Sequence, residues 1–268
     1  MRESPVGPIL VLGTGHRCGS TLLQRLLSSH PDVLIWGEHL GQLSALLDLG
    51  TTLREWSGSL GARARNLFDQ GGYQSFMANL TPEQDRIDEA IRAFVRTLFA
   101  EPAAALGRPV WGLKEVRYAR PEAAELHRLF PGLAVVFLVR DPRDILRSLD
   151  EWERGGGWWH REQTEYAIVS WLRVAESFLP GDDDPLPVLR LRYEDVVADP
   201  AGAATLIGKH TGLDPARFDP EVFARRIPGG PAQDGSRVLR DWDDLPAAMR
   251  SLVTPDVRRV AAAYGYDS

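Results

Sequence analysis

The polar and apolar positions of the chain alternate between two rhythms. Short runs of consecutive apolar residues, Ile9 to Leu12, Val33 to Trp36 and Ala134 to Val139 (AVVFLV), have the length and β-branched content of strands buried on both faces. Further strands are expected over Arg108 to Leu113 and Pro187 to Leu191. Between them the apolar positions recur at helical spacing, as in Leu22, Leu23, Leu26 and Leu27, which predicts a helix over 20–29. Gly37 to Gly72 reads as helical with breaks at the glycines. Thr81-Pro82-Glu83 reads as a helix start, with a cap, a proline and an acid in the first turn, and that helix is expected to run to about Ala100. Pro121 to Leu129, a helix opened by Asp141-Pro142 and running to about Trp152, 163–179, Asp199 to His210 and Leu245 to Tyr264 complete the set. Gly155 to Trp159 (GGGWW) is expected to be a mobile or sharply turned loop, and GDDDP (181–185) a surface turn. Strands alternating with helices predict an α/β fold, one domain over 1–268 with a doubly wound, mostly parallel central sheet. Ligands of such folds bind beyond the carboxyl ends of the strands.

The junction after the first strand carries the most information. ILVLGTGHRCGSTLLQRLLSSH (9–30) is strand, glycine loop, helix. Backbone N–H groups and the positive end of the helix dipole converge there on a place for an anion. Ser20 and Thr21 offer hydroxyl donors and caps, and Arg17 offers a planar fork suited to phosphate or sulfate. A Walker A loop requires Gly-Lys-Ser/Thr at a fixed distance from its first glycine, and no such lysine follows Gly13 or Gly15. The loop is therefore P-loop-like without the usual apparatus for ATP hydrolysis.

A second segment, VFLVRDPRDILRSL (136–149), places Arg140 at the end of the buried strand and Ser148 about two turns into the next helix. The pair is placed to clamp a second phosphate. The same string also reads as a surface ion-pair cluster of Arg140, Asp141, Arg143 and Asp144.

Composition narrows the field. The chain has 268 residues, 44% hydrophobic and 25% charged, with a net charge of −6, which argues against a general nucleic-acid binder. Cys18 is the one cysteine, so no intrachain disulfide forms. No signal-peptide pattern and no apolar run of membrane-spanning length is present, and a cytoplasmic location is expected. Alanine and arginine usage points to a GC-rich bacterial source. His30, His39, His127, His160 and His210 show no paired ligand spacing, so no metal site is expected.

Taken in order, the two segments resemble the nucleotide-binding motifs of sulfotransferases that use 3′-phosphoadenosine 5′-phosphosulfate (PAPS). The first stands here as Arg17, Cys18, Gly19, Ser20, Thr21, and the second as Arg140, Asp141, Pro142 and Ser148. LRYEDVVADP (191–200) is similar to the family's strand-end Tyr-Glu-Asp stretch. HPDVLIWGEH (30–39) and Tyr264-Gly265-Tyr266-Asp267 are nearest to the tyrosyl-protein and related bacterial branch.

The resemblance implies sulfuryl transfer from PAPS to a hydroxyl or, second to it, an amine of a small-molecule, lipid, sugar or peptide acceptor. It further implies that the loop from Gly15 to Thr21 holds the 5′-phosphosulfate, with His16 a further contact, and that Arg17 neutralises charge on the bridging oxygen. Arg140 and Ser148 would hold the 3′-phosphate. Glu38 would be the general base, with His39 its rival, and a donor sulfate nearby would favour proton uptake by Glu38. Lys114 would face the sulfuryl group. Tyr193 either packs near the adenosine or belongs to the core. Ser236, Arg237 and Arg240 fall in an expected C-terminal lid (about 228–244). Segments about 40–80 and 150–165, with Trp56, Tyr73, Trp158 and Trp159, would shape the acceptor site. Cys18, at a helix N-terminus, is expected to be thiolate-prone. An atypical P-loop kinase or NTPase and a non-catalytic nucleotide-binding module are the alternative readings.

Overall fold

Five parallel strands form the described sheet in the order β2-β3-β1-β4-β5: β1 Ile9–Gly13, β2 Val33–Trp36, β3 Val110–Glu115, β4 Ala134–Val139 and β5 Val188–Arg192. The computed structural model describes residues 7–154, 162–181, 185–223 and 241–266. Val11 lies between Lys114 of β3 and Val136 of β4 in register, so β1 is central, with later strands on both sides. Such a reversal of strand order opens a crevice at the carboxyl ends of the strands.

Because neighbouring strand residues point to opposite faces, the apolar runs supply two cores. Leu10, Leu12, Leu113, Val135, Phe137 and Val139 face α2 (Leu43–Trp56), α4 (Gln84–Val95), α6 (Arg120–Leu129), α7 (Pro142–Arg154), α8 (Glu162–Ser177) and α12 (Pro255–Ala263). Ile9, Val11, Val33, Ile35, Val136 and Leu138 face α1 (Ser20–Ser29) and α10 (Pro200–Thr211). β4 is buried along nearly its whole length, as its unbroken apolar run predicts.

Four local expectations change. Gly50, Gly58 and Gly61 do not break the helix, since α2 passes through a π-helical turn at Ser57–Gly61 into α3 (Ala62–Gly71), whereas the left-handed Gly41 and Gly72 lie at its two ends as breaks. Gly50 and Gly61 are points of close approach instead. A Cβ on Gly50 would stand 2.2 Å from Ile91 Cδ1, and one on Gly61 2.4 Å from Thr81 Cγ2. The next helix begins at Gln84 rather than at Pro82, because the carbonyls of Thr81 and Pro82 are taken by Arg65 and Ser57. It continues through a π-turn at Arg96–Ala100 into α5 (Glu101–Ala105). The third strand starts two residues late and reaches Glu115, since Arg108 turns aside to the carbonyls of His30 and Val33. The C-terminal helix is split into α11 (Ala247–Arg250) and α12, where Thr254 accepts from the Val257 N–H and Pro255 opens a new first turn. A short helix not expected, α9 (Tyr193–Ala198), precedes α10. The 155–159 loop, most of GDDDP and Ser236, Arg237 and Arg240 lie outside the described residues, as do Trp158 and Trp159. Among the described residues, no helix is long and apolar enough to cross a membrane.

Candidate active site

Gly15 to Thr21, Glu38, His39, Lys114, Arg140 and Tyr193, singled out from the sequence, lie at or just past the carboxyl ends of the strands, whereas Trp56 ends α2 and Tyr73, 82% exposed, lies in the turn Gly72–Gln74. After β1 the chain turns through three left-handed positions, Gly15 (φ 89°), Arg17 (φ 64°) and Gly19 (φ 91°). Two glycines here are demanded by contact. A Cβ on Gly13 would lie 2.4 Å from Cys18 Sγ, and one on Gly19 2.2 Å from Tyr193 Cδ2. Gly19 itself is the N-cap of α1 and no side chain closes the cap. Ser20 is the first helical residue and is buried, and Thr21 is exposed, so neither caps α1 as expected. The uncapped end leaves the helix terminus open to an anion. Cys18 also departs from expectation. Complete burial pushes its thiol up, and hydrogen bonding with Ser20 does not offset that cost, so it is not thiolate-prone.

The two nucleotide-type motifs meet. Arg17 Nε donates to Ser148 Oγ at 3.0 Å, across 131 residues of sequence, and the Arg17 guanidinium lies 4.6 Å from the Trp152 ring centroid. Arg140 Nη1 donates to the Arg17 carbonyl at 2.8 Å, and its guanidinium stacks 4.3 Å over Tyr193. Tyr193 therefore packs between Gly19 and Arg140, tying the loop to the second motif. The ion-pair reading of that motif holds for Asp141 and Arg143, but the pair is buried rather than on the surface. Arg143 closes on Asp141, with Nη2 2.7 Å from Oδ2, and both are buried. Arg140 stays outside that pair, 3.9 Å from Asp144, and its Nε is buried with no partner among the described residues. Tyr266 Oη donates to Glu194 Oε2 at 2.7 Å, while Glu194 Oε1 accepts the Asp141 N–H at 3.1 Å. The Tyr-Glu-Asp stretch and the C-terminal tyrosine thus brace the Arg-Asp-Pro turn.

A second group of charges stands on the β2–β3 side. Trp36 is in register with Leu113, which places Glu38, just past β2, beside Lys114 near the end of β3. Lys114 Nζ lies 2.5 Å from Glu38 Oε1, and Arg117 Nη1 lies 2.9 Å from Glu38 Oε2. Burial alone would push the Glu38 carboxyl up. The two cations outweigh it and hold the group below the usual carboxylate range. In the protein itself the balance therefore runs opposite to the proton uptake expected beside a donor sulfate. His16 belongs to this group too: burial and the nearby Arg117 push its ring down, and Glu38 and Lys114 also act on it. Consecutive loop residues thus part company, His16 toward the Glu38 side and Arg17 toward Ser148. His39 Nε2 is 2.9 Å from Tyr118 Oη, and its Nδ1 is buried with no partner among the described residues. Burial drives the Tyr118 phenol far up, so it keeps its proton, and the amides of Ser44 and Leu43 face its oxygen. The Tyr118 O–H is then best aimed as a donor at His39 Nε2, which engages that nitrogen as an acceptor and leaves it unavailable as a base.

Sequence reasoning missed Arg117, Glu115 and Trp152. A signal existed for the first two: charged residues run off the end of a buried strand in Lys114-Glu115-Val116-Arg117. No group of residues able to hold a metal ion occurs among the described residues.

A model of the sulfotransferase family matches residues 8–218. The chain is 26% identical over 201 residues to protein-tyrosine sulfotransferase 1 of Danio rerio, an alignment covering 72% of this chain and 50% of that protein. It is 25% identical over 294 residues to protein-tyrosine sulfotransferase 2 of Gallus gallus, covering 99% and 71%. The chain thus spans about half the length of the Danio rerio relative. In three dimensions it is similar to the sulfotransferase domain of the Synechococcus PCC 7002 olefin synthase, with a TM-score of 0.52, 21% identity, and coverage of 100% and 98%, a likeness of fold. Together with the convergence of both motifs on one crevice, the family match places the chain: it belongs to the sulfotransferase family.

Proposed function

We propose that this protein transfers a sulfuryl group from PAPS to an acceptor hydroxyl by in-line displacement. The observation that carries the reading is the joining of the two motifs through Arg17, Ser148 and Arg140. The site fits such a donor on three counts. Two arginines converge, and among the described residues no carboxylate lies closer than 3.9 Å to Arg140 and its Nε lacks a partner, while an uncapped helix N-terminus follows the glycine loop. When bound, the donor supplies an activated sulfuryl group whose transfer is governed by positioning and charge, as in phosphoryl transfer.

The chain's own residues then divide the work. Loop N–H groups between Gly15 and Thr21 hold the phosphosulfate end. Arg140, Ser148 and Arg17 form the second anion site, for the 3′-phosphate. Arg17 leans toward this site, so its work is anchoring as much as neutralising charge. Glu38 takes the proton from the acceptor hydroxyl, and Lys114 places a buried positive charge beside it. Two cations hold Glu38 in the ionised form that can accept that proton, at a cost in basicity. His39, with Nε2 engaged by Tyr118, orients rather than abstracts. Ser236, Arg237 and Arg240 remain lid candidates from sequence. The acceptor class is a small molecule, lipid, sugar or peptide.

Calorimetry with 3′-phosphoadenosine 5′-phosphate (PAP), the product of donor use, tests the reading. PAP should bind more tightly than ADP by tenfold or more, on the order of one charge-assisted contact to the 3′-phosphate. Equal affinity for PAP and ADP, or none for PAP, would refute it. An acceptor panel with PAPS, read by mass for a gain of one SO₃, identifies the acceptor.

A further inference from the structure

Glu38 is held from two sides, and the residue on its Oε2 side has its own support. Arg117 uses the same nitrogen twice: Nη1 lies 2.9 Å from Glu38 Oε2 and 2.9 Å from Glu115 Oε1. Both hydrogens of that nitrogen are thereby used. Glu115 has a side-chain exposure of 0%. A carboxylate buried so completely is costly unless every oxygen is satisfied. Here the Val116 N–H donates to Oε1 at 2.8 Å and the Gly41 N–H donates to Oε2 at 2.7 Å. Gly41 lies three residues beyond Glu38, in a turn where Leu40 (φ 59°) and Gly41 (φ 72°) are both left-handed. A leucine in that conformation is strained and persists only where its surroundings impose it. One buried carboxylate thus fixes the backbone of the loop that carries Glu38 and also the cation on the Glu38 side chain.

We propose that Arg117, anchored on buried Glu115, is a positioning residue that keeps Glu38 ionised and its carboxylate oriented for proton transfer. This rests on Glu38 being the base. Lys114, the other cation on Glu38, is a single flexible ammonium on the opposite oxygen. Arg117 is a planar fork clamped between two carboxylates, so its hold on Glu38 does not depend on Lys114. Among the described residues, the charged and titratable groups facing Glu38 are Lys114 from β3, Arg117 from the turn after it and the His16 ring from the glycine loop, with Glu115 behind Arg117. Of these only Lys114, Arg117 and a protonated His16 favour the ionised form. Removing Arg117 leaves the cost of burial less opposed.

The test is a carbon-detected NMR titration of the intact chain labelled at glutamate Cδ, with the Glu38 resonance assigned by its loss in Glu38→Gln. Arg117→Met should move the Glu38 midpoint to higher pH, and Arg117→Lys should return most of the shift. PAP affinity, measured on the same samples, should stay within about twofold of wild type, since Arg140 and Ser148 are untouched. If Arg117→Met does not fold, Arg117→Gln carries the same test. A Glu38 midpoint unchanged by loss of Arg117 overturns the proposal, as does a shift that Arg117→Lys fails to reduce. Absence of PAP binding in wild type would instead sink the sulfotransferase reading and leave the titration result standing.

Discussion

Substituting alanine for Gly19 probes the junction between the two motifs directly. Two costs can be separated. Gly19 has φ 91°, so any L-residue there takes a left-handed conformation costing about 1–2 kcal/mol. Part of this, about 0.4–1 kcal/mol, returns through the stiffer unfolded chain. The new Cβ would also stand 2.2 and 2.4 Å from Tyr193 Cδ2 and Cε2. The ring cannot yield freely, because the Arg140 guanidinium stacks over it at 4.3 Å. Overpacking of this kind costs roughly 1–3 kcal/mol. The net loss is about 1–4.5 kcal/mol, or a drop in Tm of roughly 2–18 °C for a chain of this size. Gly107 supplies the control. It has φ 75°, but a Cβ there meets nothing within 4 Å, so Gly107→Ala should lose at most about 1.5 kcal/mol. Calorimetric melts of both variants isolate the clash. Adding Tyr193→Ala to Gly19→Ala should recover part of the loss as a favourable coupling. PAP affinity should fall in Gly19→Ala and stay constant in Gly107→Ala. Equal Tm losses in the two glycine variants would refute the packing of Tyr193 on the loop.

Other expectations follow from the same geometry. Arg140→Ala removes a guanidinium expected on the 3′-phosphate and should weaken PAP binding about tenfold to a hundredfold in calorimetry. Glu38→Gln should retain PAP affinity while turnover of an identified acceptor falls by ~10²–10⁴, the usual scale for a general base; full activity would move the base elsewhere. Cys18, buried with its thiol pushed up, should react with a colorimetric thiol reagent at pH 8 only after denaturation, and rapid reaction of the native protein would contradict its burial. His210, whose Nε2 lies 3.0 Å from the Val135 carbonyl, has its ring pushed down from 6.5 by burial. The unfolded chain therefore binds that proton first as pH falls. Stability should decline from pH 6.5 downward toward the depressed folded value, more shallowly in His210→Asn, as read by melts between pH 7 and 5.

What could be read from the sequence was the local part. AVVFLV at 134–139 can hardly be anything but a buried strand, and the Arg17–Thr21 and Arg140–Ser148 spacings carry their chemistry in plain order. What stayed hidden depends on partners far along the chain. Gly50 and Gly61 look like helix breakers until Ile91 and Thr81 are seen against them. Arg117 reaches Glu38 across 79 residues, and nothing local distinguishes it from a solvated arginine. The direction of Arg17 was equally non-local: a left-handed backbone at Arg17 (φ 64°) turns its side chain toward Ser148 and Trp152, while His16 falls in with Glu38 and Lys114. Cys18 shows the same limit, since a helix N-terminus alone suggests a thiolate, whereas complete burial decides against it.

The central claim is that the glycine loop and the Arg140–Ser148 segment grip one bisphosphorylated ligand from two ends. A crystal structure with PAP tests this most directly. The account predicts the 5′-phosphate on the N–H groups between Gly15 and Thr21 and the 3′-phosphate against Arg140 and Ser148, with Glu38 and Lys114 facing the space beyond the 5′-phosphate. A nucleotide bound with either phosphate away from these groups would contradict it.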